Sequence, residues 1–233
     1  MNLFYQPLLP EGIFYLDPDE SRHVVKVLRK KKNDLIRITD GKGSFYEASI
    51  THPDSHQCTF DVRKKFAEPK KDFTIHIAIS PTKNADRIEW FVEKAVELGI
   101  DEITFIECEH TERQHLKMER LEKMAISAMK QSLKASLPLI NPPANFRNII
   151  IASHTSEKYI AYVDNDNPSH LKNLVKPGSS YLVLIGPEGD FSEEELILAE
   201  ARGFNKVSLG PGRLRTETAG MAACHILNLA NTS

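Results

Sequence analysis

Cysteine is scarce in this chain: three residues among 233, at positions 58, 108 and 224. Their odd number and wide spacing exclude a disulfide framework and any Cys-x-x-Cys metal site. Cys58, Cys108 and Cys224 are therefore expected as small buried hydrophobes. Long apolar runs are missing too. None approaches the ~18 residues a membrane helix needs, and Met1 to Gly12 shows no basic stretch leading into an apolar one, so neither a span nor a secretory signal is expected. Charge of one sign is absent overall, since 30 Lys and Arg face 32 Asp and Glu. With 41% hydrophobic residues, that balance excludes a disordered chain. No G-x-G-x-x-G opens a helix, which disfavours a nicotinamide dehydrogenase, and no P-loop pattern occurs. The single tryptophan, Trp90, lies beside an apolar stripe and is expected in the core. A soluble cytoplasmic protein of one large or two smaller domains is the expectation that remains.

What is present is unevenly placed. Residues 1–72 carry 13 Lys and Arg against 11 Asp and Glu, whereas the remainder carries 17 against 21. Ser21 to Asn33 (SRHVVKVLRKKKN) contains Arg22, Lys26, Arg29, Lys30, Lys31 and Lys32 with no acid. Such a run suits a phosphate backbone, because each contact releases condensed counterions. It also suits a solvated basic helix whose last turn, Lys30 to Lys32, opposes the dipole. His23, inside the run, fits stacking on a base or packing against the helix equally well.

Periodicity divides the chain. The first ~70 residues read as short strands around one basic helix. LIRIT (Leu35 to Thr39) and SFYEASI (Ser44 to Ile50) flank Asp40-Gly41-Lys42-Gly43, a hairpin signal, and CTFDV (Cys58 to Val62) is a further strand. A polar, proline-bearing stretch from Glu68 to Asp72 marks a boundary, giving domains 1–72 and 73–233. Beyond it, strands at Phe73 to Ile79, Ile103 to Ile106, Lys158 to Val163, Tyr181 to Ile185 and Lys206 to Leu209 alternate with helices. The helices are expected at Asn84 to Gly99, Met118 to Ala135, Ser192 to Gly203 and Thr216 to Asn231. Pro138, Pro142 and Pro143 are read as ending the second of these, and Ser192 with Glu195 forms a capping box. This alternation implies a parallel sheet covered on both faces.

Two strands run into glycine-bearing loops that lead to helices: LIGPEGDFS (Leu184 to Ser192) and SLGPGRLRTETAG (Ser208 to Gly220). Ligands in open α/β sheets bind beyond the carboxyl ends of strands, where both loops fall. The first carries Glu188 and Asp190, with Glu193 to Glu195 behind them, which repels a pyrophosphate. Rigid, side-chain-poor backbone suits a neutral or cationic nucleoside-like ligand, read through peptide N–H and C=O groups. The second loop crowds Arg213, Arg215, Thr216, Glu217 and Thr218 ahead of an apolar helix. Taken alone it fits an N-terminal cap supplied by Thr216 or Thr218.

Together these segments resemble the 16S rRNA (uracil-N3) methyltransferases of the RsmE type, in the SPOUT superfamily of knotted methyltransferases. IGPEGDFSEEEL and SLGPGRLRTETAG carry the resemblance, supported by SRHVVKVLR, KNADRIEWFVEKAVELGI and MKQSLKASLPLI. It implies a PUA-like N-terminal β-barrel that binds RNA and an α/β domain ending in a deep trefoil knot. It further implies a homodimer through the knotted region, with S-adenosylmethionine as methyl donor. The substrate would be a small-subunit rRNA uridine, within the assembled subunit. The donor would be held by Leu184, Ile185, Gly186, Pro187, Glu188, Gly189, Ser208, Leu209, Gly210, Arg213, Leu214, Thr216, Thr218 and Ala219. RNA would meet Arg22, His23, Lys26 and Arg29 to Lys32. The chain departs from the pattern at Asp190, where many relatives have glycine, and at Thr111 to His115, which bears on Arg113. Gln131 matches a position near the family's pocket.

Uracil N3–H is a weak acid, so methylation requires proton removal and stabilisation of the resulting anion. Arg215 is the candidate to stabilise that anion, and Glu217 the candidate to orient Arg215 or accept the proton. His110 and His115 are five apart, the wrong spacing for one helix face to hold a metal, so no metal site is assigned. A ribose 2′-O-methyltransferase of the same superfamily, or a non-catalytic RNA-binding protein, are the alternatives.

Overall fold

A computed structural model describes residues 2–112, 115–162 and 169–232. The chain forms two compact units, one comprising Met1–Lys70 with Ile126–Leu137, the other Lys71–Ala125 with Pro138–Ser233. None of the described helices is long and apolar enough to cross a membrane.

The first unit is built on a four-stranded sheet in the order β1 (Leu3–Tyr5), β2 (Leu35–Thr39), β3 (Ser44–His52), β4 (Thr59–Ala67). β1 runs parallel to β2, and the other neighbours are antiparallel. The Asp-Gly signal is the β2–β3 turn: Asp40 Oδ1 accepts from the N–H groups of Lys42 (2.8 Å) and Ser44 (3.1 Å), an Asx-type turn. Phe4, Leu16, Val24, Ile38, Ile50 and Phe60 fill the core beneath. The basic run is less helical than expected. After α1 (Pro18–Arg22), capped by Asp17, residues His23–Val27 form one π-helical turn. Arg29 then takes φ +53° and Asn33 φ +73°, so Lys30 to Lys32 lie in a loop rather than a last helical turn.

Residues 126–137 complete this unit, although periodicity assigns them to the second. They begin in α3 (Met118–Gln131), which stops short of the expected Ala135 because Leu133 enters the left-handed region at φ +56°. The Ala135 carbonyl then accepts from Thr39 Oγ1 and from the Gly43 N–H, both at 3.0 Å. Lys130 donates to the buried Glu20 carboxylate.

The second unit holds a six-stranded sheet whose paired neighbours are all parallel. Its members are β5 (Thr74–Ile79), β6 (Glu102–Glu107), β7 (Leu139–Asn145), β8 (Glu157–Ala161), β9 (Ser180–Ile185) and β10 (Asn205–Val207), in the order β10-β8-β9-β5-β6-β7. The central strands are apolar on both faces, as burial on both sides demands. Helices α2 (Ala85–Leu98) and α7 (Thr216–Ala230) pack together, α7 also resting on β5 and β9. α4 (Phe146–Ala152) and α6 (Glu193–Ala201) cover the opposite face through Phe146, Ile150 and Leu196. A short α5 (Leu171–Leu174) precedes β9.

Pro142 and Pro143 correct one expectation: they end no helix but lie inside β7. That strand is at the sheet edge, where a missing N–H costs no ladder bond, and its pairing with β6 slips between Thr104 and Ile106. Trp90 corrects another. It is 39% exposed on α2, while Ile88, Phe91, Val92, Ala95 and Val96 form the buried stripe. All three cysteines are buried.

At Gly220 α7 comes close to Phe91 of α2 and Ile79 of β5. A Cβ there would stand 2.7 Å from Phe91 Cε2 and 2.9 Å from Ile79 Cδ1. Alanine gains ~1 kcal/mol of helix propensity, but wedging a methyl into this contact costs about 1–3 kcal/mol. Gly220→Ala is therefore expected to lower stability by about 1 kcal/mol net, read as a reduced urea midpoint at unchanged slope. A stabilised variant would show that the helices part without cost.

Candidate functional site

β9 ends at Ile185 and β10 at Val207, neighbours once removed in the sheet with β8 between them. Their following loops converge on one cleft of about 860 Å³, at the carboxyl ends of the strands. A direct bond ties the loops: Thr216 Oγ1 donates to the Gly186 carbonyl at 3.0 Å. Arg213 reaches the Glu188 carbonyl from the second loop at 3.4 Å. The cap expected from Thr216 or Thr218 is not what forms. Arg215 occupies the cap position of α7 without a side-chain capping bond, leaving the buried Thr216 hydroxyl free to bridge the loops.

Of the residues anticipated for a ligand, Ile185, Gly186, Pro187 and Glu188 line the cleft from the first loop. Ser208, Leu209, Gly210, Arg213, Leu214, Arg215, Thr216 and Ala219 line it from the second loop and α7. Four others do not. Leu184 is fully buried in the sheet, on the face packed by α4 and α6. Gly189 lies against His110, where even a Cβ would stand only 3.0 Å from the His110 Cβ. Thr218 is half-buried on α7. Glu217 is only 7% exposed, and its Oε1 lies 3.8 Å from Arg87 Nε; the expected role of orienting Arg215 has no support in this pairing.

Sequence reasoning missed further walls of the cleft, Arg87, Ala161, Tyr162, His170 and Val207, whereas Asp190, Pro211 and Gly212 fall on the loops it had singled out. Ala161 and Tyr162 sit at the carboxyl end of β8, so the strand-end rule that found the two loops could also have found them. Arg87 had a weaker signal, as a cation in the first turn of α2 that stands off its apolar stripe. Gln131 is exposed at the end of α3 and does not line the cleft. Arg113 and Val163 lie outside the described residues.

Asp190 closes the turn of the first loop at φ +64°, a left-handed conformation that glycine adopts freely and aspartate tolerates better than most residues. Burial pushes its carboxyl above the usual carboxylate range, opposed by the Phe191 N–H it accepts and by Arg213 and His110 nearby. It lines the cleft together with Glu188, while Ile185, Val207, Leu209, Leu214 and Ala219 supply apolar walls.

The first unit carries the basic residues. Arg22 is exposed beside Asp19 (3.6 Å), and Lys26, Lys31 and Lys32 are exposed. Lys30 Nζ donates to the Leu35 carbonyl at 3.3 Å, and Asp34 Oδ2 accepts from the Lys31 N–H, which shapes the loop. His23 is exposed and meets Phe4 edge-on, with ring centroids 5.8 Å apart.

Residues 69–228 match the RNA methyltransferase domain family, and residues 16–63 match the RNA methyltransferase PUA domain. The chain belongs to the RNA methyltransferase domain family. Among relatives of this methyltransferase, the ribosomal RNA small subunit methyltransferase E of Buchnera aphidicola subsp. Acyrthosiphon pisum is 30% identical over 218 residues, 90% of this chain and 85% of that protein. The crystal structure of a probable rRNA-methyltransferase from Porphyromonas gingivalis superposes with a TM-score of 0.93 at 45% identity, covering 98% of this chain and 99% of that one. A ribosomal RNA small subunit methyltransferase E from Neisseria gonorrhoeae, bound to S-adenosyl methionine, gives 0.85 at 27% identity, with 99% and 98% covered.

Proposed function

We propose that this methyltransferase uses S-adenosylmethionine to methylate ring nitrogen N3 of a uridine in small-subunit ribosomal RNA. The observation that carries the reading is the single cleft formed by two main-chain-rich loops and tied by Thr216 to Gly186. Its volume lies in the range of small-molecule sites. Its donor set fits the cofactor: peptide groups of both loops for the adenine, apolar walls for the ring faces, and Glu188 and Asp190 for a cationic sulfonium or amino group. When bound, the cofactor supplies an electrophilic methyl group and leaves as a neutral thioether. The chain's own part is positioning and charge. Arg215, exposed at the cap of α7 and lining the cleft, faces the anion that uracil becomes on losing its N3 proton.

We read the N-terminal unit as a PUA-like barrel that engages rRNA through Arg22, His23, Lys26 and the Arg29–Lys32 loop. We read the C-terminal segment as a trefoil knot, and the working form as a cytoplasmic homodimer acting on the assembled 30S subunit. Support for the knot lies in α7 returning to β5, β9 and α2 after β10 has paired with β8 at the far edge.

The test is to incubate 30S subunits lacking the modification with labelled cofactor, digest the rRNA to nucleosides and identify the product. 3-Methyluridine is expected; a 2′-O-methylated nucleoside would assign the chain to ribose chemistry. Reversing Lys30, Lys31 and Lys32 to Glu should weaken rRNA binding and flatten the slope of log affinity against log salt by about 2 or more. Unchanged affinity and slope would remove that loop from the interface.

A further inference from the structure

Glu217 is a buried carboxylate at the first turn of α7, and its environment is only half accounted for. Oε1 lies 3.8 Å from Arg87 Nε, while Oε2 is buried with no hydrogen-bond partner among the described residues. The positive end of the α7 dipole favours a carboxylate there. Arg87, on the first turn of α2, keeps about a third of its side chain exposed and lines the same cleft as Arg215. Arginine is held through its Nε edge, which leaves the rest of a rigid planar fork to face a ligand.

We propose that Arg87 is a second cation for the substrate base, and that Glu217 is the positioning residue that fixes it rather than a proton acceptor. The inference rests on the uridine-N3 reading given above. The chemistry asks for two cations. When the N3–H bond breaks and its proton passes to water, the negative charge spreads over N3, O2 and O4. The incoming methyl must approach N3 in the ring plane, between the two carbonyl oxygens. No side chain can sit on that line, so charge stabilisation has to come from the flanks, at O2 and at O4. Arg215 and Arg87 stand on adjoining helix starts in one cleft, which provides one cation for each oxygen. Glu217 cannot take the proton itself, since it is buried behind Arg87 and does not line the cleft.

Single-turnover rates on 30S subunits at saturating cofactor, across pH, test this with Arg87→Ala, Arg87→Lys, Glu217→Gln and the Arg87→Ala/Glu217→Gln double variant. An opposite charge at close range lowers an acid's pKa by about 1–3 units. Arg87→Ala should therefore slow the reaction at neutral pH by about tenfold or more and move the midpoint of the profile upward by about one unit. The loss then shrinks as pH rises, because the unaided base ionises on its own. Tyr162, His170, Glu188 and Asp190 also face the cleft, so the difference between variants is the quantity read. Arg87→Lys should restore part of the rate. Glu217→Gln should slow the wild type but add nothing to Arg87→Ala. Cofactor affinity by calorimetry should stay within about threefold throughout, under 1 kcal/mol. A loss equal at all pH values, or one confined to cofactor affinity, would overturn the assignment. So would additive effects of the two single substitutions. Should the wild type form no 3-methyluridine, the uridine-N3 reading itself fails; should it do so with an unshifted Arg87→Ala profile, only this inference fails.

Discussion

Arg215→Ala is expected to cut the rate of methyl transfer by about 100- to 1,000-fold, the range for removing one preorganised group that stabilises developing negative charge. S-adenosylmethionine affinity should change by no more than about threefold, since in the proposed reading main chain does most of the cofactor's binding. The expectation follows from where the side chain stands. It caps α7 without a capping bond, is exposed, and lines the cleft beside the Thr216–Gly186 tie. Nothing in the core depends on it, so the melting temperature should be unchanged. The comparison with Arg87 is informative because the two cations differ in how they are fixed. Arg87 is anchored by a buried carboxylate, whereas Arg215 is free to follow the base into the cleft. Rate is read by digesting the rRNA and counting methylated nucleoside. A variant that methylates at the normal rate would remove Arg215 from the chemistry.

Local pattern was enough to find many of the strands and helices that build the catalytic unit, though not β7, α4 or α5. β5, β9 and α2 announce themselves through apolar residues at the right spacing, and the capping box at Ser192 forms with Glu195 as written. The two strand-end loops were legible for the same reason: glycine and proline directly after a buried strand leave little else for the backbone to do. Where the sequence was opaque, the deciding partner was distant. β7 hides behind Pro142 and Pro143 because only the sheet order makes it an edge. Residues 126–137 read as a helix tail, yet their carbonyl and N–H groups are satisfied by Thr39, Gly43 and Glu68 far upstream. Glu217 looked like a partner for its neighbour Arg215. Helix geometry turns it inward instead, toward an arginine on another helix. In the basic run, charge predicted an exposed surface, but positive φ at Arg29 and Asn33 turned the expected helix end into a loop.

Lys130→Ala is the substitution with the largest expected cost in stability. Glu20 is a buried residue of α1, and burial pushes its carboxyl above the ordinary range despite the Lys130 ammonium that bonds it. Lys130 bonds Oε1, and Oε2 has no hydrogen-bond partner among the described residues. Removing the lysine leaves a buried carboxylate uncompensated. For a fully buried pair that costs about 3–5 kcal/mol; with the Lys130 side chain 25% exposed, about 2–3 kcal/mol is expected. The pH dependence gives the sign. With the ammonium gone, the folded-state pKa of Glu20 rises further above its unfolded value, so the folded form binds a proton more tightly. Stability of the variant should then recover as pH falls through that raised pKa, and the gap to wild type should narrow. Urea unfolding at neutral and mildly acidic pH measures both. A gap that stays constant with pH would mean that the loss comes from the lysine's packing against the unit rather than from its charge.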